Sequence, residues 1–159
     1  MASTRLQDRL KKKRPFASAR EEAILGLVRA SDQVQIRVCR LLRPFGLTPS
    51  QYNVLRILRG ENGPLPILEV ADRTVTVVPG ITGVIDRLEE AGLVKRGRCD
   101  KDRRVVYVAI TPPALEVLAR VDEPLRRLQD SIMGRLAPGE LDALIGLLDK
   151  VRGPLEAEE

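Results

Sequence analysis

The stretch "ITGVIDRLEEAGLVKRGRCDKDRRVVYVAIT" at residues 81–111 joins a helical pattern directly to a hairpin pattern. Its first part repeats aliphatic residues at helical spacing and stops at Gly92; the repeated residues are Ile81, Val84, Ile85 and Leu88. Its second part contains two β-prone runs, "LVKRGRC" and "VVYVAIT", on either side of the charged residues 100–104. The stretch therefore predicts a helix followed by a β-hairpin with a polar tip.

The residues just upstream predict another short helix. Residues 67–73 have helical spacing, and Thr76 is placed to cap the helix that continues to Gly92. Two short helices that are joined by a tight turn and followed at once by a hairpin form a winged helix-turn-helix. In that arrangement the second helix enters the major groove, and the hairpin, called the wing, reaches across the DNA backbone.

The flanking sequence predicts longer helices on both sides of this lobe. Ser18 and Glu21 have capping-box spacing before a long helix that ends near Gly46, and a second capping box at residues 48–51 opens another helix. Two closing helices follow the hairpin, and their aliphatic stripes exceed what a monomer of this size needs. The predicted fold is mainly α with a small β-hairpin: a winged helix-turn-helix with long N- and C-terminal dimerisation helices.

The composition of the 159-residue chain narrows the range of functions. No histidine is present, which removes the imidazole general base, the Ser-His and Cys-His nucleophile pairs and the mixed Cys/His zinc site. No signal peptide or long apolar span occurs, and the net charge of +5 suits a polyanionic partner. We therefore predict a cytoplasmic protein that has no enzymatic activity, no cofactor, no metal and no membrane association.

The chain resembles the MarR family of transcriptional regulators. The motifs that carry the resemblance are "ITGVIDRLEEAGLVKR" at residues 81–96 and "DRRVVYVAIT" at residues 102–111, with "LTPSQYNVLRIL" at residues 47–58 upstream. The similarity covers roughly residues 20–150. It implies a homodimer with two winged-helix lobes, double-stranded DNA with a palindromic operator as the partner, and frequent control by a small-molecule effector, often an aromatic acid.

The resemblance also implies roles for individual residues. Arg104 matches the wing arginine of the family, Asp102 begins the acidic-basic motif of the wing, and Asp86 matches the aspartate of the recognition helix that pairs with the wing arginine. That pair would fix the angle of the wing against the recognition helix. The predicted DNA-binding residues are Thr76, Pro79, Thr82, Gly83, Arg87, Arg98, Lys101, Arg103 and Arg104, and the basic residues Lys95 and Arg96 are expected to contact phosphates.

The outward face of the predicted recognition helix is poor in side chains that read bases. Family members often place an arginine where Gly83 stands and another where Val77 stands, so guanine contacts are missing at both positions. The DNA sequence is then recognised through thymine methyl groups, water or DNA shape, or else this protein binds DNA with weakened sequence specificity. The main hypothesis is a sequence-specific repressor. The alternatives are a winged-helix protein-interaction module and a cysteine-based redox-sensing regulator.

The cysteines and the chain ends complete the predictions. Cys39 is expected to be an unreactive core residue, whereas Cys99, in a basic setting near the wing, is either a candidate redox thiol or filler in a strand. The basic segment before the first long helix is either a solvated tail or an arm that touches nucleic acid. The predicted organisation is a flexible basic arm (1–17), an N-terminal dimerisation helix (18–46), the DNA-binding lobe (47–111), C-terminal dimerisation helices (112–153) and an acidic tail (154–159).

Overall fold

The computed structural model describes residues 6–61, 63–76, 78, 80–98 and 105–157, and it is mainly helical. Contacts between Cα atoms divide the chain into two units, Met1–Pro49 and Ser50–Glu159. The predicted fold class, a mainly α winged helix-turn-helix with a small β element, is confirmed by the element order and by the similar folds reported below.

The first unit consists of a helical turn and one long helix. α1 (Leu6–Arg9) lies inside the predicted flexible arm, and α2 (Ala19–Leu42) is followed by a short 3-10 turn, Arg43–Phe45. The predicted cap at Ser18 is confirmed, because its hydroxyl oxygen accepts a hydrogen bond of 3.1 Å from the backbone N–H of Glu21. Gly46 ends this region in the left-handed conformation, with φ of 71°.

The prediction that Cys39 is a core residue is wrong, because its side chain is exposed in the chain described here. Cys39 follows Val38 on α2, and most of the residues around it on this helix are also exposed or only half-buried. The aliphatic spacing of α2 therefore marks a helical face without showing that anything in the same chain covers it.

The second unit contains the helix-turn-helix, the hairpin and the two closing helices. α3 (Pro49–Arg59) starts at the boundary between the units, at the proline that its capping box predicts. The elements that follow are β1 (Leu65–Pro66), α4 (Ile67–Asp72), α5 (Ile81–Glu90), β2 (Val94–Arg98), β3 (Val106–Ile110), α6 (Pro112–Met133) and α7 (Pro138–Glu156). α7 extends two residues beyond the start of the predicted acidic tail.

The hairpin is part of a three-stranded antiparallel sheet in the order β1-β3-β2. β2 pairs with β3 from Val94 opposite Ile110 to Arg98 opposite Val106, which confirms the predicted pairing of the two β-prone runs. β1 was not predicted: it places Leu65 opposite Val108 within a stretch that has the composition of a turn. A two-residue strand that contains a proline is tolerated at a sheet edge, since an edge strand pairs on only one side.

The core of the second unit is aliphatic. On α5, Val84, Ile85 and Leu88 are buried and Ile81 is half-buried, so the predicted apolar stripe is confirmed. Fully buried aliphatic side chains from the other elements complete this core: Val54, Leu55, Leu58, Val70, Val108, Leu118 and Val121. The buried stripe orients α5 so that its opposite side is presented to solvent.

The predicted start of the recognition helix is wrong. α5 begins at Ile81, and the residue before it, Gly80, has the left-handed φ of 69° and ψ of 46°. A left-handed residue cannot continue a helix, so Thr76 lies outside α5. Its carbonyl oxygen instead accepts a hydrogen bond of 2.8 Å from the hydroxyl of Thr74 in the turn between α4 and α5. The Pro79-Gly80 pair is the sequence signal that could have located this start.

One ion pair joins α3 to α6. The Nη1 atom of Arg59 donates to both carboxylate oxygens of Asp122, at 3.0 and 2.8 Å. The hydrogen bond that it donates to Asp122 raises the pKa of the Arg59 guanidinium above its usual range. This contact connects the helix before the helix-turn-helix to the first closing helix.

Candidate nucleic-acid interface

The exposed side of α5 carries the residues that the sequence predicts for DNA reading. Thr82 and Arg87 are exposed, and Asp86 and Gly83 are partly exposed. A Cβ atom built on Gly83 meets no heavy atom within 4 Å, so this position faces open space. Thr76 is also exposed, although it lies in the preceding turn. The structure thus leaves these residues at least partly accessible, and DNA contact by them stays a prediction.

The predicted wing tip lies outside the described residues. This applies to Cys99, Lys101, Asp102, Arg103 and Arg104, and also to Pro79 before α5. Arg98 is described only as the last residue of β2. The strands on either side of this segment, β2 and β3, are paired along their described length.

Arg96 ties the wing strand to the recognition helix. Its Nη2 atom lies 2.5 Å from Oδ1 of Asp86 and its Nη1 atom lies 3.4 Å from Oε2 of Glu89. The same Nη2 atom lies 3.3 Å from the backbone oxygen of Thr82, and the backbone N–H of Arg96 donates to Oε1 of Glu89 at 3.1 Å. One arginine on β2 therefore contacts three residues on successive turns of α5.

This network differs from the expected roles of its members. The predicted phosphate contact of Arg96 is at odds with a guanidinium that lies against two carboxylates of the same chain. The predicted partner of Asp86, Arg104, lies outside the described residues. Strand alternation is the signal that could have found the contact, because Val94 is buried and Arg96 points to the same side of β2.

A cleft lies beside this network. It has a volume of about 700 Å³, and residues of β1, α4, α5 and both hairpin strands line it, among them Pro66, Thr82, Arg96, Gly97 and Val106. The Nε atom of Arg96 is buried and has no hydrogen-bond partner among the described residues. A buried donor without a partner is costly, and this one belongs to a residue that lines the cleft.

The long helices of each unit expose aliphatic side chains. On α2, the exposed fractions of Ile24 and Val28 are 62% and 60%. On α7, every described side chain is at least partly exposed, including Ile145, Leu147 and Val151. Neither helix thus hides its apolar stripe within the described part of a single chain.

Two negative findings hold for the part of the chain that the structure describes. It contains no helix that is both long and apolar enough to cross a membrane. It also contains no cluster of three or more Cys, Asp or Glu side chains that could hold a metal ion.

The fold and the exposed recognition helix define a winged-helix transcriptional regulator. The sequence model of the MarR family matches residues 47–106. The transcriptional repressor IacR of Pseudomonas putida is 32% identical over 117 residues, which cover 74% of this chain and 70% of IacR. The transcriptional regulator FarR of Neisseria gonorrhoeae is 28% identical over 146 residues, 90% of this chain and 99% of FarR. The chain belongs to the MarR family, and it is a regulator rather than an enzyme.

Solved structures agree with this assignment. A MarR transcription factor from Planctomyces limnophilus is 39% identical with a TM-score of 0.66, and the match covers 85% of this chain and 98% of that one. BpsR of Bordetella bronchiseptica, described with 6-hydroxynicotinic acid as a regulator of its DNA binding, is 26% identical with a TM-score of 0.75, covering 88% and 99%. Sco3205 of Streptomyces coelicolor, solved in complex with DNA, shares the fold at 22% identity, with a TM-score of 0.79 and coverage of 91% and 92%.

Proposed function

We propose that the protein is a homodimeric repressor that binds a palindromic operator and is released by a small aromatic acid. The observation that carries this proposal is the contact of Arg96 with Asp86 and Glu89, which holds the wing strand against the exposed recognition helix. A helix and a hairpin held at a set angle lose less conformational freedom when they dock on one duplex. Such a regulator would act in the cytoplasm, on the chromosome.

In this proposal α5 enters the major groove. Thr82 and Arg87 contact DNA from its exposed side, and Thr76, Pro79 and Gly83 border the groove. The basic wing residues Arg98, Lys101, Arg103 and Arg104 contact the backbone and the minor groove. Because Gly83 offers no side chain to the bases, sequence choice rests largely on DNA shape and on thymine methyl groups.

The palindromic operator follows from a dimer, since two lobes related by a twofold axis read two half-sites. The aliphatic residues exposed on α2 and α7 support the dimer, because a monomer rarely leaves such stripes uncovered. The repressor sign is supported by the similarity to IacR. Sedimentation of the purified protein tests the dimer directly, and a monomer at micromolar concentration would contradict it.

Arg104→Ala tests the DNA-binding role of the wing. The variant should bind the operator markedly more weakly while its thermal stability stays nearly unchanged, because a wing arginine would act mainly through its contact with DNA. The operator is first obtained by sequencing the genomic fragments that the wild-type protein retains. Titration at fixed salt then compares the two proteins, and equal affinity would count against the wing role.

The effector part of the proposal rests on the cleft beside Arg96. An aromatic ring would fit among Pro66 and Val106, and the guanidinium of Arg96, which lines the same cleft, would attract a carboxylate. The regulation of BpsR by 6-hydroxynicotinic acid is consistent with this chemistry. Gly97→Leu tests it, since a Cβ atom at Gly97 meets no heavy atom within 4 Å and a larger side chain would fill the cleft. Wild-type binding of benzoate and its loss in the variant, measured by calorimetry, is the expected result; identical binding by both would exclude the cleft.

A further inference from the structure

The short segment before α2 carries an unusual concentration of exposed positive charge. Residues 9–14 read "RLKKKR", and Arg9, Lys11, Lys13 and Arg14 are all exposed. In the described part of the chain, these four side chains make no ion pair, whereas Lys12 does. Four cations within six residues are therefore available to an external partner.

The backbone of this segment is folded into a specific turn. The N–H of Lys12 donates to the carbonyl of Gln7 and the N–H of Lys11 donates to the carbonyl of Asp8, both at 3.1 Å. These two bonds form a Schellman motif that ends α1. Lys11 occupies the left-handed position of the motif with φ of 51°, where glycine is the usual residue. The side chain of Lys11 is exposed, so its positive charge lies on the surface of the turn.

Lys12 anchors the turn to the start of α2. Its Nζ atom lies 3.0 Å from Oε1 of Glu21 and 4.8 Å from the ring centroid of Phe16. The other carboxylate oxygen of Glu21 accepts a hydrogen bond of 2.6 Å from the backbone N–H of Ala17. The hydrogen bond from Lys12 contributes most to lowering the pKa of Glu21, so this carboxylate stays charged near neutral pH. One lysine is thus used to hold the segment while its neighbours remain free.

We propose that Arg9, Lys11, Lys13 and Arg14 form a preorganised phosphate-binding surface that contacts the backbone of duplex DNA. This inference rests on the proposed DNA-binding function and adds to it a contact outside the winged-helix lobe. A duplex presents one negative charge for about every 1.7 Å along its axis, which is a density that closely spaced cations can match. The contact supplies affinity for any sequence, which suits a recognition helix that is poor in base-reading side chains.

A membrane surface is the other polyanion that could attract this segment, and the structure disfavours it. Membrane-binding helices need a broad apolar face, whereas α1 has only four residues. The ring of Phe16 lies under Lys12 and is only partly exposed. The segment therefore offers charge without the apolar surface that inserts between lipids.

The test is the salt dependence of DNA binding by the triple variant K11Q/K13Q/R14Q in the full-length chain. Three lost phosphate contacts should reduce the slope of log K against log salt by roughly 2.7 for each arm that binds. Between about 50 and 200 mM salt, wild-type affinity should then fall roughly 40-fold more for each arm than the affinity of the variant. The loss should be similar on operator and on unrelated duplex, because phosphates carry no base sequence.

The matched control is the triple variant R29Q/R37Q/R40Q, which removes the same number of charges from α2. These three arginines are exposed. Because α2 is also part of the proposed dimer surface, sedimentation of both variants is used to check that each keeps the wild-type oligomeric state. The control should keep nearly the wild-type slope, because it changes the total charge without removing the proposed contacts. Equal slope changes in the two variants, or no change in the first, would overturn the proposal.

Glu21→Gln separates a preorganised surface from a flexible charged tail. The substitution releases Lys12 and adds one net positive charge, so a flexible tail would bind DNA more tightly. A preorganised surface loses its anchor, and the variant should bind more weakly in spite of the added charge. Unchanged or tighter binding would overturn the preorganisation.

The outcomes also separate this inference from the proposed function. A wild-type protein that retains no genomic fragment would contradict the proposed function itself. A wild-type protein that binds its operator, combined with a wild-type slope in K11Q/K13Q/R14Q, would contradict the inference alone. Loss of co-sedimentation with phosphatidylserine vesicles in that variant, with an unchanged DNA slope, would assign the surface to a membrane and overturn the proposal.

Discussion

Replacement of Arg96 by methionine tests how far the contact between wing and recognition helix determines DNA binding. The substitution removes the ion pairs to Asp86 and Glu89, and it keeps the backbone hydrogen bond from residue 96 to the Glu89 carboxylate. Methionine also retains much of the apolar stem of the arginine, so little packing is lost. The change therefore acts mainly on the charge contacts between β2 and α5.

The expected loss of stability is small because the network is partly in water. The side chains of Arg96, Asp86 and Glu89 are 25%, 47% and 40% exposed. Exposed pairs of this kind contribute about 0.2–1 kcal/mol each, so the two together give roughly 0.5–2 kcal/mol. For a chain of this size, about 1 kcal/mol shifts Tm by about 2–4 °C, and we expect a decrease of about 1–8 °C.

The second expected effect of Arg96→Met is a loss of operator affinity. Without the pairs, the orientation of the wing relative to α5 must be fixed at the moment of binding, and this ordering reduces the affinity. We expect affinity to fall by about tenfold or more, which corresponds to about 1.4 kcal/mol or more. Calorimetric melting measures the stability, and fluorescence anisotropy with labelled operator at fixed salt measures the affinity.

Arg126→Met is the matched control. Arg126 also has two carboxylate partners, Glu123 and Asp130, but all three residues lie on α6 and Arg126 is 63% exposed. The control should leave operator affinity unchanged and lower Tm by less than Arg96→Met does, because the ion pairs of Arg126 lie within one helix and do not connect it to another element. Equal operator affinities for Arg96→Met and Arg126→Met would refute the argument that Arg96 positions the wing, even if the former melts earlier.

Two further predictions concern local conformation and the α3–α6 contact. Gly80→Ala should destabilise the protein by about 1–2 kcal/mol, because alanine is strained at φ of 69°. Gly83→Ala should stabilise it by about 0.5–1 kcal/mol, because residue 83 lies inside α5 and an added Cβ atom meets open space. Thermal melting of both variants checks this, and shifts in the same direction would contradict it. Asp122→Asn should cost about 0.5–1 kcal/mol, or roughly 1–4 °C, because the Arg59 pair is half in water; no shift in Tm would show that the pair contributes nothing.

Much of the candidate site could be predicted from the sequence because its elements have local signals. The buried stripe of α5 follows from helical spacing, and that stripe decides which side of the helix is exposed. The predicted helix start at Thr76 is wrong because threonine is a common capping residue but Pro79-Gly80 is a turn signal. The left-handed Gly80 shows that the turn signal sets the start of α5. The prediction of a buried Cys39 is wrong because aliphatic spacing identifies the apolar face of a helix but does not show which element packs against that face.

The amino-acid sequence by itself determined the order of the elements and most of their ends. Caps and prolines act within one turn of the chain, so Ser18 and Pro49 mark the starts of α2 and α3 without reference to distant residues. Only the tertiary structure decided the contacts between elements. Arg59 meets Asp122 across 63 positions, β1 forms only because β3 lies beside it, and Arg96 finds carboxylates on a neighbouring helix. Such partners depend on how the aliphatic core packs the elements together, and no local window of sequence contains that information.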